Sequence, residues 1–292
     1  KTHPSLLLKD SMMSIHQDGS GCHHSIRDNP HSPGTVWAFS GLVASSAGAG
    51  PFAPRGVDNY DAANTGPTAL GYFIGVDNAT FSTLMIRRVT NPGTLVSPGP
   101  TISANISVTV PTTRNPVLVP HLGNTGGTSG RLDSLDDRLY AAHLRNGRLW
   151  TAHNVGVNNT GVSQTSGNNR NAARWYELQN LDTTPTLVQS GTLFDNNATN
   201  DANQRNYWIP SIMVSGQGHA ALACSIAGTN ERINAFTTGR LAGDTLGTLR
   251  DGPGGSALPG IAPSNAYRCR DGIVLVAGNG DSIFKRLMSA IG

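Results

Sequence analysis

Polar residues that could hold a metal ion come directly before several predicted β-strands. They are Asp58, Asn59, Asp61, Asp133, Asp136, Asp137, Asn206 and Asn265. Calcium accepts roughly six to eight oxygen ligands in loose geometry, so carboxylates and amides from several strands can hold it together. The pattern predicts a divalent-metal site, Ca²⁺ or Zn²⁺, with the ligands Asp58, Asp61, His121, Asp137 and Asn206. The alternative is that these side chains cap the turns between strands.

A metal ion held in this way would polarise a carbonyl or phosphoryl oxygen, or activate a water molecule. We assign catalytic roles in such a site to His121, Asp137 and His153. His143 and His153 fall on opposite faces of a predicted hairpin, because side chains alternate along a strand, so they cannot ligate the same ion. The alternative for each histidine is a ring that packs singly between sheets.

The densest metal-like motif is Cys22-His23-His24, which could also pair a thiolate with a base. No helix and no orienting acid accompany it, which favours a histidine-rich leader segment. The chain contains no phosphate-binding loop, no Gly-x-Ser-x-Gly motif and no Cys-x-x-Cys motif.

Aromatic and acidic residues allow a saccharide site as a further candidate. Trp175 and Tyr207 are predicted to contact a substrate. Alternating strand faces would expose one of the neighbouring aromatics Trp175 and Tyr176, and Tyr207 lies at the entry of a predicted strand. Glu177, one of only two glutamates, would need a second carboxylate about 5–10 Å away for glycoside hydrolysis, and Asp137 is the candidate. The alternative for Glu177 is a cross-strand ion pair with an arginine.

The strands that must position these residues return three times along the chain. Similar runs cover residues 69–98, 148–190 and 219–248, the last with an outer strand over Thr245–Thr248, and a further unit begins near Pro263 with strands over 272–277 and 282–287. Self-similarity at roughly 70 to 80 residues, with no helix between strands, predicts an array of one supersecondary unit. We predict an all-β fold, a β-propeller of about four to five blades. The Asn146-Gly147 pair predicts a two-residue hairpin turn.

The ends and loops of the chain differ from these units. Residues 1–34 hold five of the nine histidines and are predicted to be an irregular leader or a degraded first unit, with the propeller domain over 35–292. Pairing of Met12–His16 as a strand would favour the degraded unit. The polar stretches 156–171 and 195–206 are predicted to be exposed loops, the kind that often carries function.

The composition limits the partners of the chain. Its 292 residues include 35 Gly and 17 Pro, and only 13% are charged, which is typical of a turn-rich β protein. The net charge of +3 comes without a basic run, so we expect no nucleic-acid partner. No apolar run approaches the roughly 20 residues that span a bilayer, so we expect no membrane partner. Three cysteines make an odd number, and Cys224 is predicted to be a core residue.

Residues 36–250 resemble the uncharacterised secreted β-propeller proteins of bacteria. The resemblance is carried by the segments Tyr72–Asp77, Leu135–His143, Arg148–His153 and Tyr207–Ser211. It implies a propeller exported from a bacterial cell, in an extracellular or periplasmic location, and it transfers no catalytic residues. The architecture is similar to that of sialidases, but the Asp-box Ser-x-Asp-x-Gly-x-x-Trp is absent.

Two functions follow as expectations. The first is a hydrolase with a metal-assisted site at the tunnel mouth of the propeller, acting on an ester, a lactone or a phosphotriester. The second is a non-catalytic extracellular module that binds a glycan or a surface. In either case the partner is a small molecule or a glycan, and the sequence does not indicate the oligomeric state.

Overall fold

The chain is built almost entirely from β-strands. The computed structural model describes residues 12–18, 21–27, 37–39, 48–65, 68–92, 99–199, 202–250, 265–269 and 272–276. Within these residues the chain forms β-strands, one 3₁₀ turn at Gly127–Gly130 and no α-helix. Nothing helical in this part of the chain is long and apolar enough to cross a bilayer. The predicted all-β class is therefore confirmed.

The strands follow one another along the chain. They are β1 (Met12–Asp18), β2 (Gly21–Arg27), β3 (Trp37–Phe39), β4 (Pro51–Gly56), β5 (Asp58–Asn59), β6 (Leu70–Asp77), β7 (Thr83–Thr90), β8 (Thr101–Ile102), β9 (Ile106–Thr109), β10 (Leu139–Arg145), β11 (Arg148–Val157), β12 (Arg170–Gln179), β13 (Thr186–Leu193), β14 (Arg205–Val214), β15 (Ala220–Gly228), β16 (Glu231–Arg240), β17 (Asn265–Cys269) and β18 (Gly272–Val276). The longest connections lie between β9 and β10 and between β16 and β17.

Strands that are close in sequence pair with each other. The sheets have the orders β1-β2-β3, β4-β6-β7-β8 with β9 also on β7, β13-β12-β11-β10-β5, β14-β15-β16, and β17-β18. The strands β10 and β5 run parallel. The antiparallel pairs include β1–β2, β2–β3, β4–β6, β6–β7, β7–β8, β7–β9, β14–β15, β15–β16 and β17–β18. Each sheet is therefore mainly a meander, in which the chain turns back at the end of each strand.

The predicted Asn-Gly hairpin is confirmed. Asn146 and Gly147 are the only residues between β10 and β11, which are neighbours in one sheet, and their φ angles are 53° and 69°. A two-residue turn with φ above zero at both positions matches the right-handed twist of the flanking strands. Asparagine and glycine tolerate this region of φ better than other residues, so two adjacent residues determine where the hairpin turns.

The N-terminal strands extend the β-structure across the predicted domain boundary. β1 pairs with β2 from Met12↔Arg27 to Asp18↔Gly21, and β2 pairs with β3 through His24↔Phe39. This pairing crosses the boundary predicted between residues 34 and 35, and it is what a degraded first unit requires. The side chains of Cys22-His23-His24 lie outside the described residues.

The outer strands are where the sequence prediction was least accurate. The predicted strand at Thr245–Thr248 is wrong, because these residues form a turn in which the Thr248 N–H donates to the Thr245 carbonyl at 3.2 Å. The predicted strand at 272–277 is β18, which pairs with β17. The strand predicted over 282–287 and the segment 94–98 lie outside the described residues.

The chain divides into two compact units. Unit 1 comprises Lys1–Thr113, Asp137–Thr151 and Tyr176–Val188, and its core is a cluster of aliphatic and aromatic side chains. The fully buried members of this cluster are Ile74, Leu84, Ile86, Leu139, Leu149, Tyr176 and Leu178. Since these residues come from β6, β7, β10, β11 and β12, unit 1 is stabilised by side chains from consecutive strands that bury their apolar faces together.

Unit 2 comprises Arg114–Asp136, Ala152–Trp175 and Gln189–Gly292. One of its clusters contains Val155, Val157 and Ala172 with Phe194 against them. In β14, buried and exposed residues alternate over the second half of the strand, which is the pattern of a sheet with one covered face. Cys224 of β15 is 6% exposed, so its predicted place in the core is confirmed.

Candidate functional site

The metal ligands predicted in unit 1 are placed on loops and strand ends. Asp61 Oδ1 accepts the Ala63 N–H at 3.0 Å, and its Oδ2 accepts the N–H of Gly147. Asn59 Oδ1 accepts the Asp61 N–H at 3.1 Å. Asp58 is exposed on β5, whereas Asp137 is 7% exposed just before β10. The alternative in which these side chains cap turns is confirmed for Asn59 and Asp61.

The metal ligands predicted in unit 2 are also engaged with the backbone. His121 lies with Nδ1 3.2 Å from the Leu122 carbonyl oxygen and Nε2 3.1 Å from that of Gly130. Asn206 is fully buried, and its Oδ1 accepts the Asn171 N–H at 2.9 Å. The His121 ring can therefore donate to one of these carbonyl oxygens, according to its tautomer, and the acceptor oxygen of Asn206 is used by the backbone of Asn171.

The predicted metal ligands are divided between the two units. Asp58, Asp61 and Asp137 belong to unit 1, and His121 and Asn206 belong to unit 2. Among the described residues, no group of three or more His, Cys, Asp and Glu side chains could hold a metal ion. The site with the ligands Asp58, Asp61, His121, Asp137 and Asn206 therefore stays a prediction.

The two histidines of the predicted hairpin are core residues. His143 is 2% exposed, its Nε2 has no hydrogen-bond partner among the described residues, and its ring meets the edge of Tyr60 at a centroid distance of 6.0 Å. Burial lowers the pKa of His143 to about 4, and the charge of Arg145 adds to this effect. His153 has no exposed surface within β11. The catalytic role predicted for His153 therefore has no structural support, because a substrate cannot reach its ring.

The two aromatic residues predicted to contact a substrate are buried in unit 2, which corrects that prediction. Trp175 is fully buried, and the Arg240 guanidinium lies 5.7 Å from the centre of its ring. Tyr207 is 6% exposed and packs edge-on against Phe236 at 5.2 Å between ring centroids. Aromatic rings bury a large apolar area, so placing Trp175 and Tyr207 in the core stabilises the fold more than exposing them at the surface would.

Glu177 has the structural role that was the alternative to catalysis. Its Oε1 lies 3.5 Å from Nε of Arg148, on neighbouring strands β12 and β11. The prediction of an ion pair with an arginine is confirmed.

A groove of about 290 Å³ lies in unit 2 where β14 begins and where β15 turns into β16. We call it the polar groove, and its lining residues are Asn203, Gln204, Arg205, Gly228, Asn230 and Glu231. Gly228 pairs with Arg205 on one side and with Glu231 on the other. A Cβ atom at Gly228 would stand 2.3 Å from the Gln204 carbonyl oxygen, so the two walls approach closely only because residue 228 is glycine.

The β14 wall of the groove is anchored from below by Asp195 and Arg170. Asp195 Oδ2 accepts the N–H of Arg205, and the Asp195 carbonyl accepts Nη1 of Arg170 at 2.7 Å. Arg170 has no exposed surface and also donates from Nη2 to Gln204 Oε1 at 3.1 Å. Gln204 in turn donates from Nε2 to the Asn169 carbonyl at 2.9 Å. These bonds fix residues 204 and 205 before any ligand arrives.

An ion pair spans the groove walls. Arg205 Nε donates to Glu231 Oε2 at 2.7 Å, and the hydroxyl of Tyr207 also interacts with the Arg205 side chain. Desolvation alone would lower the pKa of Arg205, but the charge and hydrogen bond of Glu231, with Tyr207, raise it above its usual value. Burial raises the pKa of Tyr207 to about 12, so its hydroxyl stays neutral beside the guanidinium.

A third segment joins the groove through the backbone of Glu231. The Leu122 N–H donates to the Glu231 carbonyl at 3.1 Å. The turn between β15 and β16 is therefore held both by its own hairpin and by the loop that contains His121.

Sequence reasoning missed the residues of the polar groove as binding residues. Two signals could have found them. Three of the lining residues fall within the polar stretch 195–206, which the sequence marks as a loop of functional type, and Glu231 is one of only two glutamates. What the sequence does not contain is the pairing of β14 with β15 and β16, which brings Arg205 to Glu231.

Neither the models of known protein families nor the curated protein sequences match this chain.

Proposed function

We propose that this chain is a non-catalytic glycan-binding module and that the polar groove is its binding site. The observation that carries the proposal is the chemistry of the lining. Five of the six lining residues have an amide, a guanidinium or a carboxylate in the side chain, and the sixth is Gly228. Small-molecule pockets are usually lined mainly by hydrophobic and aromatic groups with a few polar ones. A groove with only polar side chains matches a ligand whose own surface is mostly hydroxyl groups, which is a sugar.

The size and rigidity of the groove support the same proposal. At about 290 Å³ it lies at the lower end of the usual range for ligand sites, roughly 300–1,000 Å³, so it suits one or a few small rings. Arg205 is held at its backbone by Asp195 and at its side chain by Glu231. Fixing these donors in advance reduces the entropy that binding would otherwise cost.

The groove favours binding over hydrolysis. Glycoside hydrolysis uses two carboxyl groups about 5–10 Å apart, one of which must be able to carry a proton. The groove lining holds one carboxylate, Glu231, and its Oε2 already accepts a hydrogen bond from Arg205. The nearby Asp195 is 7% exposed, and both its oxygens accept backbone N–H groups, from Asn197 and Arg205.

We further propose that the sheets are blades of a β-propeller in a protein exported from a bacterial cell. The support is the order of strands within each sheet. Strands β4, β6, β7 and β8 form one meander, β10 to β13 a second and β14 to β16 a third. Up-and-down sheets of about four strands are the unit from which propellers are built. An experimental structure in which these sheets do not surround a common axis would overturn the propeller, and retention of the protein inside the cell would overturn the proposed location.

The glycan site can be tested by isothermal titration of the whole chain with a panel of mono- and oligosaccharides. We expect at least one to bind, and we expect Asn230→Ala to weaken that binding at least about tenfold, because the exposed Asn230 amide lines the groove. Asn234→Ala is the matched control, since Asn234 is an exposed asparagine on β16, the strand that follows the turn of Asn230, and it lies outside the groove. Absence of binding across the panel, or equal loss in both variants, would contradict the proposal.

A further inference from the structure

We propose that the polar groove binds a neutral sugar through a pair of neighbouring hydroxyl groups and discriminates against sugars that carry a negative charge. This inference rests on the proposed glycan-binding function and adds the chemical class of the ligand. It follows from the charge balance of the groove and from the donors and acceptors that its ion pair leaves open.

The charges of the lining cancel. Arg205 and Glu231 are the charged residues of the groove, and they lie 2.7 Å apart between Nε and Oε2. An anionic sugar that approaches Arg205 must therefore also approach the Glu231 carboxylate. Like charges brought together at short range and partly out of water repel, so the attraction of Arg205 for the anion is offset.

The other charged groups that the structure describes around the groove do not restore a positive field. Arg170 is fully buried, and its guanidinium donates to two carbonyls and two side chains below the groove. Arg232 follows Glu231 on β16, so its side chain leaves from the opposite face of the strand. Its Nη1 lies beside Gly123, where a Cβ would be 3.4 Å from it. Asp195 adds a negative charge behind Arg205.

The ion pair leaves N–H donors of Arg205 and one acceptor oxygen of Glu231 available to a ligand. A guanidinium has five N–H groups, of which Arg205 uses Nε–H on Glu231 and one interaction on Tyr207. Glu231 accepts through Oε2, and Oε1 accepts no hydrogen bond from the described residues. Both side chains are partly exposed, 47% for Arg205 and 31% for Glu231.

Two adjacent hydroxyl groups complement this arrangement. One hydroxyl can donate to Glu231 Oε1 while its neighbour accepts from an Arg205 Nη–H group, because a hydroxyl serves as donor and acceptor. Hydrogen bonds to charged groups are stronger than those between neutral groups, so a sugar diol gains from both partners. The Asn230 amide, exposed on the turn beside Glu231, supplies a further donor and acceptor.

The test compares neutral hexoses with the matching uronic acids. The two differ at one carbon, which carries a hydroxymethyl group in the hexose and a carboxylate in the uronic acid. Titration calorimetry of the full chain should show the neutral sugar binding at least about tenfold more tightly. Glu231→Gln keeps the shape of the side chain and removes the negative charge, so the ratio should shift toward the uronic acid by at least about tenfold. Deoxy sugars that lack one hydroxyl of the diol should lose at least about tenfold in affinity.

Glu177→Gln is the matched control. Glu177 is the other glutamate of the chain and also pairs with an arginine, Arg148, but it lies in unit 1. Its replacement should leave the ratio between neutral and acidic sugars unchanged. If Glu231→Gln does not fold, Arg205→Gln gives a second test: it should abolish binding of the neutral sugar without creating binding of the acid.

The outcomes separate this inference from the proposed function. Wild-type binding of uronic acids as tight as that of neutral hexoses, an unchanged ratio in Glu231→Gln, or equal binding of the deoxy sugars would overturn the inference while a glycan site remained. Failure of every sugar, neutral or acidic, to bind the wild-type chain would overturn the proposed function itself.

Discussion

The side-chain oxygen of Asn154 accepts the backbone N–H of Ile209 at 3.0 Å. Ile209 has a φ of 51° at an irregularity in the register of β14. Asn154 is fully buried, and its Nδ2 donates at 3.0 Å to the carbonyl oxygens of Ser134 and Asp136. The Asn154 amide therefore links the irregular part of β14 to the loop before β10. The backbone conformation at Ile209 is costly, because a β-branched residue is strained at positive φ, and the hydrogen bond from Asn154 helps to maintain it.

Replacement of this amide should destabilise the protein strongly. Asn154→Ala leaves one N–H and two carbonyl groups without their partner in a buried site, and each unsatisfied group costs about 1–3 kcal/mol. We expect the free energy of unfolding to fall by roughly 3 kcal/mol, measured by urea denaturation. Asn230→Ala is the control for stability, because Asn230 is exposed. A loss below about 1 kcal/mol in Asn154→Ala would show that water replaces the amide.

The strained position itself should accept a different residue. Ile209→Asn places at φ 51° a side chain that tolerates this region, and it removes an isoleucine that is already 39% exposed. We expect the free energy of unfolding to rise by about 1 kcal/mol, seen as a higher melting temperature in calorimetry. Ile233→Asn, at an exposed position with φ below zero, should bring no such gain. Equal effects at the two positions would argue against strain at residue 209.

His143 should make the protein less stable in mild acid. Its pKa is about 4 in the folded protein and 6.5 as the ordinary value, so the unfolded chain binds more protons between these pH values. The free energy of unfolding therefore falls as the pH falls through this window, by roughly 2 kcal/mol between pH 7.5 and pH 5. Denaturation at the two pH values should show that the His143→Gln variant lacks this loss of about 2 kcal/mol in the free energy of unfolding. The carboxylates are the same in both proteins, so their contribution cancels in the comparison. Equal pH dependence of the two proteins would contradict the burial of a neutral ring.

Gly228 should be required for both stability and binding. An alanine Cβ there would stand 2.3 Å from the Gln204 carbonyl oxygen, so the walls of the polar groove must separate. We expect Gly228→Ala to cost about 1–3 kcal/mol and to abolish sugar binding. Gly243→Ala is the matched control, since no atom lies within 4 Å of its Cβ position, and it should bind sugars as the wild type does. Normal binding by Gly228→Ala would place the ligand elsewhere.

The metal content of the purified chain tests the remaining prediction from the sequence. Asp61, His121 and Asn206 direct their ligand atoms to backbone groups, so we expect no stoichiometric Ca²⁺ or Zn²⁺ by elemental analysis. A stoichiometric metal that is lost in both Asp137→Asn and His121→Ala would instead support the metal-assisted hydrolase acting on an ester, a lactone or a phosphotriester. His143→Ala is the control in that case.

Features that depend on neighbouring residues could be predicted from the sequence. The Asn146-Gly147 turn was found because these two residues tolerate positive φ, and the side-chain caps of Asn59 and Asp61 were recognised as an alternative because such bonds span two residues. A cross-strand ion pair of Glu177 with an arginine was recognised as an alternative, and the structure shows that this arginine is Arg148. In each case the partners are set by local geometry or by the nearest hairpin.

Features that depend on how sheets pack were not predicted. Trp175 and Tyr207 were assigned to a binding surface, but burial of their large rings stabilises the core, and strand alternation alone does not say which face is covered. His143 and His153 were considered as site residues and are buried for the same reason. The type of a residue indicates what it can do, and the environment decides whether a ligand can reach it.

The sequence by itself determined that this protein is all-β, where its hairpin turns and most of its strands lie, and which polar residues were available. These properties follow from backbone preferences and from a period of two along each strand, both of which act over a few residues. Tertiary structure decided that Arg205 pairs with Glu231, 26 residues later in the chain. The two walls of the polar groove approach closely enough for this because residue 228 is glycine. That contact depends on the register of β14, β15 and β16, which is fixed by burial of one whole face of the sheet and not by any short segment.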